Sequence, residues 1–275
     1  MDIKRIFYLA LLLLTTYSCI DKHQEVYYVT SGPHKPRLFS IPSIIADSQI
    51  KYFNKNLKGK LDTYSAPNSN ATQFVFKRSI LADFFKKYAD STNFNYVRIK
   101  LVEIDPSVND PYDYYKKNAK KIHLLFYAAD TTHKKLIDSV AYDLTEGVSI
   151  SSMHTLSKVD EGKFDTAFRN GIKYTLNSIN STYNNKPCLN TGFIYVEKED
   201  FEKLITMSFT NFDKLIIKLS LYYGSYNGTE IKLKGKDNLL NLLFYRAKSD
   251  NTILSKSDVY DMNDLCPPGN CFGME

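Results

Sequence analysis

Lys121-Ile122-His123-Leu124-Leu125-Phe126-Tyr127-Ala128-Ala129 returns 118 residues later as Leu239-Leu240-Asn241-Leu242-Leu243-Phe244-Tyr245-Arg246-Ala247, with its Leu-Leu-Phe-Tyr centre unchanged. At the same offset Val97-Arg98-Ile99-Lys100-Leu101 faces Leu215-Ile216-Ile217-Lys218-Leu219. Upstream, Phe76, Leu81, Phe84 and Phe85 match Val196, Phe201, Leu204 and Ile205 at offset 120, and Ile50-Lys51-Tyr52 matches Ile172-Lys173-Tyr174 at offset 122. Four blocks in one order at nearly constant offset identify an internal duplication. A period near 120 is too long for a solenoid unit, so the repeating element is a domain.

The blocks also dictate local structure. Ala46, Ile50, Phe53 and Leu57 recur at helical spacing after Pro42, and Lys58-Gly59 predicts a stop. The partner helix runs from Phe164 through Phe168, Ile172 and Leu176 to Ile179. The Phe76 and Val196 blocks read as short strands entering helices, the first with Leu81, Phe84, Phe85 and Tyr88 on one face. Alternation of Val97, Ile99 and Leu101 with Arg98 and Lys100, and of Ile122, Leu124, Phe126 and Ala128 with their neighbours, predicts strands. Each half is therefore α, β, α, β, β, with a further short strand near Leu136 or Leu254. The class is α+β: two tandem copies, 40–142 and 160–275, of an antiparallel sheet with helices.

Two demands follow. The Val97 and Ile122 strands must be neighbours in one sheet, as must the Leu215 and Leu240 strands. Leu124, Phe126, Leu242 and Phe244 are assigned to the helix-covered face, but Leu125, Tyr127, Leu243 and Tyr245 on the other face are also apolar. That second face must then be covered, either by its counterpart across the domain boundary or by a partner.

At the other end of the scale of order, Lys4 and Arg5 precede an apolar run from Ile6 to Leu14 and then Thr15-Thr16-Tyr17-Ser18-Cys19. This is the layout of a secretory signal over residues 1–18, and the run is about half of the roughly 20 residues needed to span a bilayer. The junction resembles the lipobox of bacterial lipoproteins, in the looser form common in Bacteroidota, with Thr16 where that family usually carries Leu. The resemblance implies acylation of Cys19, a tether over 19–39, and localisation in the cell envelope, lipid-anchored to the outer membrane. Cleavage removes Lys4, Arg5 and Asp2 and lowers the formal net charge from +6 to +5. So mild a balance in an exported chain does not point to nucleic acid, and the lysines of 116–121 read as a solvated hairpin tip.

Cys266 and Cys271 flank Pro267-Pro268-Gly269-Asn270, where Pro followed by Gly suits a type II turn; in an oxidising compartment the pair predicts a disulfide. A zinc half-site is the rival and lacks two further ligands, since only Cys188 and the scattered His123, His133 and His154 are on offer. The Cys-Pro-Pro ending resembles that of small uncharacterised proteins of Bacteroidota and implies no activity. Asp105, Asn109, Asp110 and Asp113 crowd one loop without the order of a calcium-binding loop. Asp-Ser/Thr pairs place possible O-glycosylation at Ser91, Thr131 and Ser139, with Thr166 less suited inside a helix; this resembles the sequon of Bacteroidota envelope proteins.

Signatures of zinc proteases, serine esterases and phosphate-binding loops are not found in the chain. The best catalytic pair is Asp130 with His133, which the second copy replaces with Lys248 and Asn251. His123 aligns with Asn241 and reads as an exposed polar position. Twenty-one tyrosines without any Trp suit sheet packing more than sugar platforms. The expectation is an envelope lipoprotein that binds a protein or glycan partner, with no cofactor or metal; a hydrolase using Asp130 and His133, or an immunity-type inhibitor of a toxin, are the alternatives.

Overall fold

The computed structural model describes residues 38–41, 43–66, 72–132, 134–136, 140–183, 186–188, 192–206, 212–222, 238–254 and 259–262. Residues 1–18, read above as a signal peptide, Cys19 and the expected tether up to residue 37, with His133, Ser139, Cys266 and Cys271, lie outside these residues, and of Cys188 only the backbone is described.

In chain order the elements are β1 (Leu38–Ile41), α1 (Ser43–Phe53), a widened helical turn (Asn54–Lys58), α2 (Gly59–Tyr64), β2 (Gln73–Lys77), α3 (Arg78–Lys87), β3 (Tyr96–Glu103), α4 (Tyr114–Lys117), β4 (Ile122–Ala129), β5 (Ala141–Asp143) and β6 (His154–Leu156). The second copy supplies α5 (Lys158–Asn170), α6 (Ile172–Asn177), the small hairpin β7 (Ser181–Tyr183) and β8 (Lys186–Cys188), then β9 (Phe193–Glu197), α7 (Lys198–Thr206), β10 (Lys214–Leu221), β11 (Leu240–Ala247) and β12 (Val259–Met262). The fold is α+β, with two five-stranded antiparallel sheets in the orders β6-β5-β4-β3-β9 and β1-β12-β11-β10-β2.

The duplication reaches single residue pairs. Tyr96 opposes Ala129 as Lys214 opposes Ala247, each an advance of 118. Lys120 and Asn238, also 118 apart, both adopt the left-handed conformation, at φ 61° and 59°. Their N–H groups donate to Ile104 O at 3.0 Å and Tyr222 O at 3.1 Å, closing the two central hairpins alike.

The copies do not each close on their own strands. β2 of the first copy pairs with β10 of the second, Phe76 opposite Leu215, while β9 of the second pairs with β3 of the first, Val196 opposite Val97. The exchange is reciprocal in register, and matching backbone bonds seal both junctions: Arg78 N–H to Asp213 O and Lys198 N–H to Asn95 O, each 2.8 Å. The long helices are exchanged too, α1 packing on β10 and α5 on β3.

This exchange changes which surfaces meet. Leu124, Phe126, Leu242 and Phe244 point into one core shared by both sheets, with α3 and α7 packed into the same core. Phe76 of one sheet meets Phe126 of the other edge-to-face at 5.1 Å, and Phe85 of α3 stacks on Phe201 of α7 at 5.6 Å. Each such buried ring contributes about 2 to 3 kcal/mol of apolar burial. Leu125 and Tyr127 belong to a second cluster with Phe164 of α5. Thus the inner faces cover each other, α5 covers Leu125 and Tyr127, and Leu243 and Tyr245 on the outer face of the other sheet are buried as well, with α1 packed on the neighbouring β10.

Three local expectations are corrected. The first helix does not stop at Gly59, which is helical at φ −60° and ψ −36°, and it continues to Tyr64. The break occurs in the other copy, at Gly171, where an added Cβ would lie 1.9 Å from the Tyr64 hydroxyl and 2.2 Å from Glu103 Oε2. Glu103 fills that notch: Oε1 accepts the Tyr64 O–H and Oε2 the Ile172 N–H, both at 2.8 Å, which caps α6. Burial pushes the Glu103 carboxyl above its ordinary range against those bonds, and burial with Glu103 lifts Tyr64 to about 12. Finally, the segments at Leu136 and Leu254 form no strand; each makes a single isolated bridge through the preceding residue, Lys135 to Ala129 and Ile253 to Ala247, and the additional strands are β5 and β12.

Candidate functional site

The outer face of the first-copy sheet carries the chemistry. Its pleat aligns His123, Leu125 and Tyr127 on β4 with Val102, Lys100 and Arg98 on β3, and Lys100 and Arg98 in turn with Phe193 and Tyr195 on β9. One end of this face is a buried polar network, the middle is apolar, and the other end is cationic and aromatic.

In the network His123 and Asp143 are both fully buried, which corrects the expectation of an exposed histidine. His123 Nε2 donates to Asp143 Oδ2 at 2.6 Å, and the Tyr115 hydroxyl donates to the same oxygen at 2.8 Å. Thr145 N–H donates to Oδ1 at 3.0 Å. Burial alone would raise the Asp143 pKa, but His123 and these donors outweigh it and hold the carboxyl below its usual range. Burial and Asp143 drive the Tyr115 hydroxyl far above the ordinary tyrosine range. The remaining imidazole nitrogen, His123 Nδ1, has no hydrogen-bond partner and is enclosed by the rings of Phe74, Tyr114 and Tyr115. Fully buried, with the Thr145 hydroxyl 3.4 Å from His123 Nε2, this His–Asp pair ties β4 to β5 and to α4, which carries Tyr115.

At the far end Arg98 stands on β3 between Tyr127 and Tyr195. Its guanidinium lies 3.6 Å from the centroid of the Phe193 ring and 5.9 Å from those of Tyr127 and Tyr195. Its Nε is buried without an acceptor, and among the described residues no carboxylate pairs with it. The adjacent lysines differ. Lys100 meets Asp165 at 2.6 Å and Glu161 at 3.4 Å, and Lys135 meets Glu161 at 3.3 Å, all from α5. Tyr127, pushed well above the usual range by burial and by Glu161, donates to Glu161 Oε1 at 2.8 Å. Arg98, Phe193 and Tyr195 are partly exposed.

The residues singled out from sequence are scattered. Asp130 Oδ1 is occupied by Thr132 N–H, the Thr132 hydroxyl and Lys134 N–H, which lower its pKa and build a turn; His133 is outside the described residues. Asp110 accepts three backbone N–H groups, of Tyr112, Tyr114 and Tyr115, and caps α4, while Asp105 accepts Ser107 N–H. Among the described residues no group of His, Cys, Asp or Glu is placed to hold a metal. Ser91 is partly exposed and Thr131 exposed, both in turns; Thr166 donates to Gly162 O at 2.8 Å within α5. No described helix is long and apolar enough to cross a membrane.

Asp143 and Tyr115 escape the sequence reading, although a signal exists. Tyr142-Asp143 returns as Tyr260-Asp261 at offset 118, and a first repeat closed at 142 stops one residue short of it. Arg98 lies in a recognised block but aligns with Ile216, so the repeat itself draws no attention to it. No known family matches the chain, and neither does any curated protein or solved structure.

Proposed function

We propose that the chain is a cell-envelope binding module, exported by residues 1–18 and lipid-anchored to the outer membrane through Cys19, and that it engages its ligand with the outer face of β4, β3 and β9 around Arg98. The observation that carries this reading is the unneutralised guanidinium. Lys100 and Lys135 are matched by Glu161 and Asp165, whereas the Arg98 guanidinium pairs with no carboxylate among the described residues and is held against rings, partly open to solvent. Binding is favoured over turnover because the His–Asp pair is sealed.

The test uses the anchored protein. Intact mass after membrane extraction should show loss of residues 1–18 and an acylated Cys19. Envelope saccharide and protein fractions passed over the immobilised chain should retain material on wild type and on Ile216→Ala, and lose it on Arg98→Ala. Equal retention by the Arg98 variant sinks the proposed face.

A further inference from the structure

We infer that residues 263–264, immediately beyond β12, cross to the other sheet and pair with the outer edge of β9, Asn263 opposite Val196 and the Asp264 N–H on the Tyr195 carbonyl. The occupant of that edge is a segment of the chain's own C-terminal tail. This pairing does not depend on what the Arg98 face binds.

The first copy shows the same crossing in full. Tyr142 of β5 opposes Phe126 of β4, and the chain then leaves that sheet: Thr145 bridges Phe76 of β2, and Glu146 N–H donates to Val75 O at 2.8 Å. Leu144 and Thr145 are buried along the way. Tyr142-Asp143-Leu144-Thr145-Glu146 returns 118 residues on as Tyr260-Asp261-Met262-Asn263-Asp264, which keeps Tyr-Asp, then an apolar residue, a small polar one and an acid. Tyr260 opposes Phe244 as Tyr142 opposes Phe126, so the second segment sets out from the same register. Reach is no obstacle. Thr145 lies two residues past Asp143, and Asn263 lies two past Asp261.

The receiving strands match as well. Arg78 N–H and Thr72 O bond towards β10, and Lys198 N–H and Gly192 O towards β3. Backbone groups of an antiparallel strand alternate in direction, so Val75 and Tyr195, one residue out of phase, turn theirs to the outer side. Val75 and Phe76 become Tyr195 and Val196 at the offset of 120 that relates the two strands. A strand at a sheet edge invites pairing with another chain, and a short segment laid along it removes that hazard.

Charge separates the two crossings. Glu146 also meets Lys214 at 2.8 Å, where Lys77 opposes Lys214 across the junction. At the corresponding junction Glu197 opposes Tyr96, so neither lysine recurs and Asp264 gains no ion pair from these positions. The backbone bond therefore carries the contact. The correspondence ends at Leu265, which replaces Gly147, where an added Cβ would lie 2.4 Å from the Tyr114 ring.

The experiment is nuclear magnetic resonance on the isotope-labelled mature chain. The two residues of a non-hydrogen-bonded antiparallel pair approach most closely, so Thr145 and Phe76 supply an internal reference for an Hα–Hα Overhauser contact. The same contact is expected between Asn263 and Val196, with the Asp264 amide exchanging about 100-fold or more slower than a solvated one. Chains ending at Met262 and at Leu265 both lack the tail cysteines and isolate the pairing segment; the shorter should melt about 2 to 4 °C below the longer. Absence of the Asn263–Val196 contact while the Thr145–Phe76 contact is seen overturns the pairing, as does equal melting of the two shortened chains.

Discussion

The two sheets share their register, their hairpin geometry and their exchanged edge strand, yet their outer faces have become different materials. Where the first-copy sheet places His123 over Asp143, the second places Asn241, whose Nδ2 donates to Gln49 Oε1 of α1 at 3.0 Å, with the Ser220 hydroxyl donating to the same oxygen at 3.2 Å. Both positions are fully buried. Both polar groups must therefore find partners, and each finds them in whatever lies opposite. The first copy uses a carboxylate hydrogen-bonded to a histidine and a tyrosine, and the second a neutral amide. Conserved backbone pairing with divergent side-chain solutions shows that the strand ladder, and not the outer-face chemistry, holds the repeat together.

The largest effect should come from separating the copies. Cutting between Ser151 and Ser152, both exposed, leaves each fragment without the edge strand and long helix that complete its sheet. Neither fragment alone should unfold cooperatively, and mixing them should restore a single transition monitored by near-ultraviolet circular dichroism. A fragment that folds cooperatively by itself would break the view that the copies complete one another.

Smaller, and directed at the outer faces, is the contrast between Asp143→Asn and Asn241→Ala. Removing the charge of a buried carboxylate that accepts three hydrogen bonds should cost about 3 kcal/mol at neutral pH, against about 1 to 2 kcal/mol for the neutral amide. The Asp143 carboxyl is held low, so its contribution is full above the unfolded value of about 4 and fades as pH falls through the folded value. Denaturant unfolding of wild type should therefore lose stability on acidification in a way that Asp143→Asn does not, while Asn241→Ala keeps the wild-type slope. Parallel slopes for wild type and Asp143→Asn would remove the buried carboxylate from the account.

The smallest difference tests the two exchange junctions. Arg78 lies 4.6 Å from the Phe212 centroid and also donates from Nε to Ile205 O at 2.8 Å; its counterpart Lys198 lies 5.1 Å from Phe94. Arg78→Ala should cost about 1.5 kcal/mol, combining ring and carbonyl contacts. Lys198→Ala should cost about 0.5 kcal/mol. Equal losses in thermal unfolding would mean that the junctions act through backbone bonds alone.

Periodicity by itself determined a good deal: the duplication, the central β3–β4 and β10–β11 hairpins, and the burial of both faces of β4 and β11, because alternation of apolar residues reports directly on which side of a strand meets water. Asp110 could be seen in its loop but not as the cap of α4, and Arg98 could be seen on its strand but not beside Phe193, nearly a hundred residues away in the chain. Only the tertiary structure decided that β2 and β9 change places, since a strand of the pattern Phe-Val-Phe fits the edge of either sheet and carries no mark of which. The same exchange decided that Leu124 faces the opposite sheet and Leu125 a borrowed helix. Local sequence fixes that a face is buried through the hydrophobicity of its own side chains. What buries it depends on contacts made across the whole chain, and those are set by how the two copies close on each other.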